Sequence, residues 1–164
     1  MQEIQIRLAR ESDLARINAI YNHYVVHSTC TYQTEPETEA GRKAWFGAHG
    51  PKHPITVAEI NGEVVGWGSL SKFHPREAYS RTVEDSVYVQ DGLHRQGIGS
   101  ALMGDLVARA KALGHHTIIA AVDSEQPASL GLHKRFGFED AGVLRETGFK
   151  FGKWLNAVYL QRMV

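Results

Sequence analysis

Residues 85–114 read DSVYVQDGLHRQGIGSALMGDLVARAKALG. The opening of this stretch belongs to a strand predicted over residues 81–90. From residue 98 to residue 113, Leu102, Leu106, Val107, Ala110 and Leu113 share one helical face, and Gly114 suits the helix end. Between strand and helix stand Gly97 and Gly99. Lacking a Cβ, they let backbone N–H groups approach an anion. The helix start directly after them adds unpaired N–H donors and the positive end of a dipole. Together these features predict a pyrophosphate site. It is not a Walker A loop, because no Gly-Lys-Ser/Thr follows. It is not a dinucleotide fingerprint either, because the glycine spacing is wrong and no acidic residue lies at the right distance beyond the next strand. Taken alone, the two glycines also fit a tight strand-to-helix connection with no ligand.

Working outward, residues 3–8 alternate apolar and polar and predict a first strand. Ser12 or Asp13 is placed to cap a helix reaching about residue 27, with Leu14, Ile17, Ile20, Tyr21, Tyr24 and Val25 at helical spacing. A second helix is expected over residues 36–48, anchored by Trp45 and Phe46. Strands at 55–60 and 63–70 flank Asn61-Gly62, the dipeptide favoured where both central turn positions need positive φ. Residues 72–80 read as a loop, 117–122 as a strand and 127–136 as a short helix with Pro127 at its start. Strands at 138–144 and 155–163 close the chain. The order predicts an α/β (α+β) domain spanning residues 1–164, with one sheet and helices on both faces. It is not the regular alternation of a Rossmann fold.

The 164 residues suffice for one core that buries roughly 70% of the surface exposed on unfolding. Lys+Arg and Asp+Glu both number 18. That balance argues against bulk nucleic-acid or anionic-membrane binding, which want a basic excess. The longest purely apolar run, residues 118–122, is far short of a spanning helix, and the N-terminus has no apolar signal core. The single cysteine, Cys30, excludes an intrachain disulfide and any cluster built on several thiolates. No metal site is expected, and the cytoplasm is the expected compartment.

The chain resembles the GNAT family of acetyl-CoA-dependent N-acetyltransferases along nearly its whole length. That family's phosphate loop reads Gln/Arg-x-x-Gly-x-Gly/Ala; here Gly97 and Gly99 match and His94 stands in the first position, a departure. The resemblance is nearest to the phosphinothricin/methionine-sulfoximine acetyltransferase branch. It is carried by Arg7 and Ala9, by Thr34-Glu35-Pro36, and by the run from Thr82 to Val89. Ser129 with Leu132-His133, Gly137-Phe138 and the tail from Gly148 to Trp154 complete it. The resemblance implies a mostly antiparallel mixed sheet, acetyl-CoA as donor, a small amino-acid-like amine as acceptor, and a homodimer. It places the pyrophosphate on His94, Arg95, Gln96, Gly97, Ile98, Gly99 and Ser100. The pantetheine arm falls to backbone groups of Val87, Tyr88 and Val89, with Gln126 and Ser129 nearby. Gln126 stands where the branch usually has asparagine.

Acetylating an amine requires removing a proton from an ammonium and returning one to a thiolate. Glu84 is the candidate base: it shares a strand face with Ser86 and Tyr88, beside the cofactor loop, where an unpaired carboxylate is costly. The strand alone also allows a solvated edge or an ion pair with Arg81. Asp85 is its rival by proximity, but faces the other way. His133 is the candidate acid, in the place where many relatives carry tyrosine; a packed histidine is the other reading. On the acceptor side, Arg76 offers a fork suited to a carboxylate. Tyr32, Thr34 and Glu35 lie in a loop that lines the acceptor cleft of the family. Tyr79 belongs to the loop around Arg76, and Lys150 and Trp154 to the tail. Other readings are acetylation of a polyamine or a protein N-terminus, a non-catalytic acyl-CoA-binding module, and a nucleotide-binding domain.

Overall fold

The computed structural model describes residues 2–164. Seven strands form one sheet: β1 (Gln5–Leu8), β2 (Ile55–Ile60), β3 (Glu63–Lys72), β4 (Thr82–Val89), β5 (Thr117–Asp123), β6 (Glu139–Lys150) and β7 (Lys153–Met163). Their order across the sheet is β1-β2-β3-β4-β5-β7-β6, and only β4 and β5 run parallel. Four helices flank it: α1 (Leu14–His27), α2 (Glu39–Ala48), α3 (Ile98–Ala112) and α4 (Pro127–Arg135). None is long and apolar enough to cross a membrane.

Strand alternation distributes the helices. Trp67 on β3 and Tyr88 on β4 are cross-strand partners and stack on the face covered by α1 and α2. On the other face, Leu70, Val83, Ile118 and Leu160 pack against Met103, Leu106 and Ala110 of α3. Gly66 and Gly68 let α3 lie close: a Cβ at either would sit 3.0–3.1 Å from Leu102 or Leu106. On the α1–α2 side, Arg42 is buried with its guanidinium 4.5 Å from the Trp45 ring centre and 4.7 Å from that of Tyr21, so aromatic faces stand in for a counter-ion.

Three expectations change. Neither Ser12 nor Asp13 caps α1: the Asp13 carboxylate is taken by the Arg7 guanidinium and by the Arg10 N–H. The second helix starts at Glu39, where the Thr38 hydroxyl accepts from the Gly41 N–H. The strand expected to end at residue 144 runs on. β6 continues to Lys150 through bulges, with Glu146 at φ 54°, and turns at Phe151-Gly152, at φ 53° and 74°, into β7. Those two positive φ values repeat the geometry of Asn61-Gly62, at 52° and 81°.

Candidate active site

The parallel ladder between β4 and β5 has three pairs and stops at Glu84–Ile119. Beyond it the strands diverge, and a cavity of about 460 Å³ opens in the fork. The end of β4 lines it, with Ala120, Ala121 and Val122 of β5, the start of α3, and one side of α4.

At one end lies the glycine loop. Gly97 is the N-cap of α3 at φ 86°, with no side chain capping the first turn, so the leading N–H groups are left for an anion. His94, Arg95, Gly97, Gly99 and Ser100 line the cavity. Two expected members do not. Ile98 is buried in the core against Ala58 and Val65, and Gln96 borders a separate surface depression. A Cβ on Gly99 would meet Leu132 at 3.5 Å and Val89 at 3.8 Å, which are ordinary contacts. Gly99→Val should therefore fold, yet bind acetyl-CoA about 30-fold more weakly, roughly 2 kcal/mol, when titrated by calorimetry. Unchanged affinity would contradict the loop's role.

Along β4 the main chain alternates. The carbonyls of Ser86 and Tyr88 lie against Gly68 and Gly66 on the β3 side, so the N–H and C=O groups of Asp85, Val87 and Val89 face the fork. The Val89 carbonyl is already taken by the Tyr24 hydroxyl. Of the three residues expected to meet a pantetheine arm, Tyr88 thus contributes no main-chain group, and Val87 is the one left open on both its N–H and its C=O.

Glu84 faces the α1–α2 side, half-buried, opposite Ser71 on β3. Among the described residues its carboxylate makes no ion pair or side-chain hydrogen bond. Arg81 instead donates to the Gly114 carbonyl. Burial, then the neighbouring Asp85 charge, pushes the Glu84 carboxyl above the usual range. Nearby, the Ser71 hydroxyl is 3.0 Å from His49 Nε2, while His49 Nδ1 meets the Trp45 carbonyl at 2.7 Å. Burial lowers the His49 pKa and keeps that ring neutral.

His133 lies on the opposite face from Glu84. Its Nε2 is 2.9 Å from Asp85 Oδ2 and its Nδ1 is 2.8 Å from the Ser129 carbonyl. Both partners accept, so both nitrogens are spent on donating and the ring is held as an imidazolium beside the Asp85 carboxylate. Burial works against that charge, but the Asp85 hydrogen bond and charge outweigh it and raise the His133 pKa. A freely pointing general acid is not what this geometry provides. Asp85 Oδ1, buried and with its residue lining the same cavity, has no hydrogen-bond partner among the described residues. Ser129 lines the cavity, as does Gln126, whose amide donates to Thr29 Oγ1 at 3.1 Å.

None of the expected acceptor residues lines this cavity. The Tyr32 hydroxyl donates to Asp123, and its ring covers Gly148. Thr34 and Glu35 are exposed. Arg76 is exposed, with no partner for its guanidinium among the described residues. Tyr79 packs on Phe73 and His74. Lys150 must be corrected outright: it is buried, and its ammonium donates to the carbonyls of Ser28 and Thr31, each at 2.7 Å. It staples a loop. Trp154 is 62% exposed and leans on Phe149.

Sequence reading missed Tyr24, Ser28 and Cys30, which reach the cavity from the end of α1 and the loop after it. It also missed Asp85 as the partner of His133. Among the described residues, no group of His, Cys, Asp and Glu gathers as a metal cage.

A strand that forks, a glycine loop at a helix start and a half-buried carboxylate are the features of a transferase that holds a long phosphorylated donor. The sequence profile of the acetyltransferase (GNAT) family matches residues 17–138. The chain belongs to this family and is an N-acetyltransferase with acetyl-CoA as its donor. It is 42% identical over 158 residues to the L-methionine sulfoximine/L-methionine sulfone acetyltransferase of Pseudomonas paraeruginosa, covering 95% of this chain and 92% of that one. It is 39% identical to the phosphinothricin N-acetyltransferase of Alcaligenes faecalis, covering 96% and 81%. A phosphinothricin acetyltransferase from Sinorhizobium meliloti, solved in complex with acetyl-CoA, superposes with a TM-score of 0.94 at 37% identity, over 98% of this chain and 88% of that one.

Proposed function

We propose that this enzyme acetylates the α-amine of a compact amino acid with a polar, tetrahedral side-chain head, of the methionine sulfoximine, methionine sulfone or phosphinothricin type. The observation that carries the chemistry is the Glu84 carboxylate: half-buried, without an ionic partner, at the point where the β4–β5 ladder opens. The acceptor class is supported by the relatives named above.

Bound acetyl-CoA supplies an activated thioester carbonyl and a thiol leaving group. Gly97, Gly99, Arg95, Ser100 and the α3 start hold its phosphates. The Val87 N–H faces the fork and polarises the thioester oxygen. Glu84, through a water, takes the proton that the acceptor ammonium must lose, and its raised pKa suits that task. The amine nitrogen then attacks the carbonyl carbon directly, the C–S bond breaks, and the proton balance closes when the thiolate takes a proton. The His133–Asp85 pair keeps a positive ring at the α4 side of the fork, where negative charge develops on sulfur.

The acceptor side is completed by a second copy of the chain. Val143, Leu144, Phe149, Phe151 and Trp154 are large apolar side chains on the β6–β7 hairpin, each about half exposed or more. Phe149 and Trp154 lean on each other there, and exposed apolar surface of that kind is characteristic of a covered face. A homodimer formed there would enclose the tail residues. Trp154→Glu combined with Phe149→Glu should convert a dimer to a monomer in light scattering; a monomeric wild type would contradict it. We place the protein in the cytoplasm, where its donor is made, as one acetyltransferase domain without nucleic-acid or membrane partners.

Arg76 is assigned to the acceptor carboxylate. Methionine sulfoximine or phosphinothricin should show higher kcat/KM than spermidine, and Arg76→Ala should lose about 30-fold or more of that advantage, roughly 2 kcal/mol. Spermidine as the better acceptor, or an undiminished preference in the variant, would overturn the amino-acid assignment.

A further inference from the structure

The Tyr24 hydroxyl is shared between two parts of the donor site that the acetyl-transfer chemistry does not otherwise join. It contacts the Val89 carbonyl at the end of β4 and lies 2.8 Å from His94 Nε2 in the glycine loop. Both Tyr24 and His94 line the cavity.

A hydroxyl has one proton and here it has two partners. A carbonyl cannot donate, so the tyrosine proton goes to Val89. Burial pushes the Tyr24 phenol pKa up, so the hydroxyl keeps that proton throughout the range where enzymes are assayed. The oxygen therefore turns a lone pair toward His94 Nε2. Two lone pairs 2.8 Å apart would repel, so Nε2 carries the ring's hydrogen. A neutral imidazole has one N–H. Its Nδ1 is then a bare acceptor, and a phosphate oxygen is an acceptor too. A glutamine or arginine side chain here would always have a donor to offer; this ring, fixed as it is, has one only after gaining a second proton.

We propose that Tyr24 is a positioning residue that fixes His94 in its Nε2–H form, so that binding acetyl-CoA takes up a proton at His94 Nδ1. The inference rests on the acetyl-CoA reading of the cavity. The reaction is a simple protonation: solvent supplies the proton, His94 becomes an imidazolium, and its two N–H groups point at Tyr24 and at the phosphates. Arg95 follows His94 in the loop and also lines the cavity. On α1, His23 packs on Tyr24 and meets Asp91 at 3.5 Å. In the loop after α1, burial raises the Cys30 pKa and favours its neutral thiol. Asp91 is surface-exposed and present with or without the donor, so the anion that arrives on binding is the donor's phosphate.

The test is calorimetric titration of the purified protein with acetyl-CoA at several values between about pH 6 and pH 9. It is run in two buffers of contrasting ionisation enthalpy, so that the difference counts protons. Wild type should take up protons on binding, with affinity falling as pH rises, by at most about tenfold per unit. His94→Gln should bind with uptake near zero and a flat pH dependence. Tyr24→Phe should also lose most of the uptake, because its ring is free to present Nδ1–H. Nitrogen NMR of the ligand-free protein should show His94 protonated at Nε2. Binding without proton uptake, equal uptake in His94→Gln, or a ligand-free Nδ1–H form would each overturn the proposal. Failure of wild type to bind acetyl-CoA would instead overturn the donor assignment on which it rests.

Discussion

Glu84→Gln should lower kcat by about 10²- to 10⁴-fold while leaving acetyl-CoA affinity unchanged. The amide fills the same space but cannot take a proton from the acceptor. The loss should be steepest at low pH, where more of the acceptor is protonated and the base matters most. The same substitution should not cost stability at neutral pH. Burial and the Asp85 charge raise the Glu84 pKa above its ordinary value. The folded state therefore holds the proton longer than the unfolded chain, and stability falls as pH rises from the ordinary carboxylate value through the raised one. Above that window wild type carries a destabilising charge that glutamine lacks. Urea unfolding at pH 7 should show Glu84→Gln at least as stable as wild type. A wild-type rate across pH 6 to 9, about three units spanning carboxylate and amine titration, would remove Glu84 as the base.

Asp85→Ala should destabilise the fold by about 3–5 kcal/mol near and below pH 6, because it leaves the buried His133 cation unpaired. Both side chains are nearly inaccessible, at 6% and 1% exposed, so solvent cannot replace the partner. The sign of the pH dependence follows from His133. Its folded pKa is raised, so the pair's contribution is fully present below the ordinary histidine value and is lost as pH rises through the raised one. The penalty of Asp85→Ala should shrink over that window. Asp85→Asn should fall between, since its amide oxygen still accepts from His133. Denaturant midpoints measured at several pH values check this. A penalty independent of pH would mean that His133 is neutral in the fold.

The frame of the site was legible in the sequence because its signals are local. Gly97 and Gly99 ahead of an apolar helical stripe gave the loop its place, and strand alternation put Glu84 and Asp85 on opposite faces. What was not legible depends on long-range partners. Asp85 meets His133 across 48 residues of chain, and Tyr24 meets His94 across 70. Neither spacing has a sequence signature. Lys150 reads as part of the acceptor side because nothing local reveals the carbonyls of Ser28 and Thr31 waiting for it. The β6–β7 turn was hidden because Phe151 takes the left-handed position usually filled by asparagine, aspartate or glycine. The need for glycine at 148 is likewise long-range: a Cβ there would come within 2.6 Å of the Tyr32 ring, where the hairpin packs against the loop after α1.

The most direct measurement is release of free coenzyme A from acetyl-CoA by the purified protein, with methionine sulfoximine as acceptor and the product identified by mass spectrometry. Thiol release should be saturable, require the amino acid, be matched mole for mole by its N-acetyl derivative and be nearly abolished in Glu84→Gln. Acetyl-CoA binding with no thiol release on addition of methionine sulfoximine, methionine sulfone or phosphinothricin would contradict it.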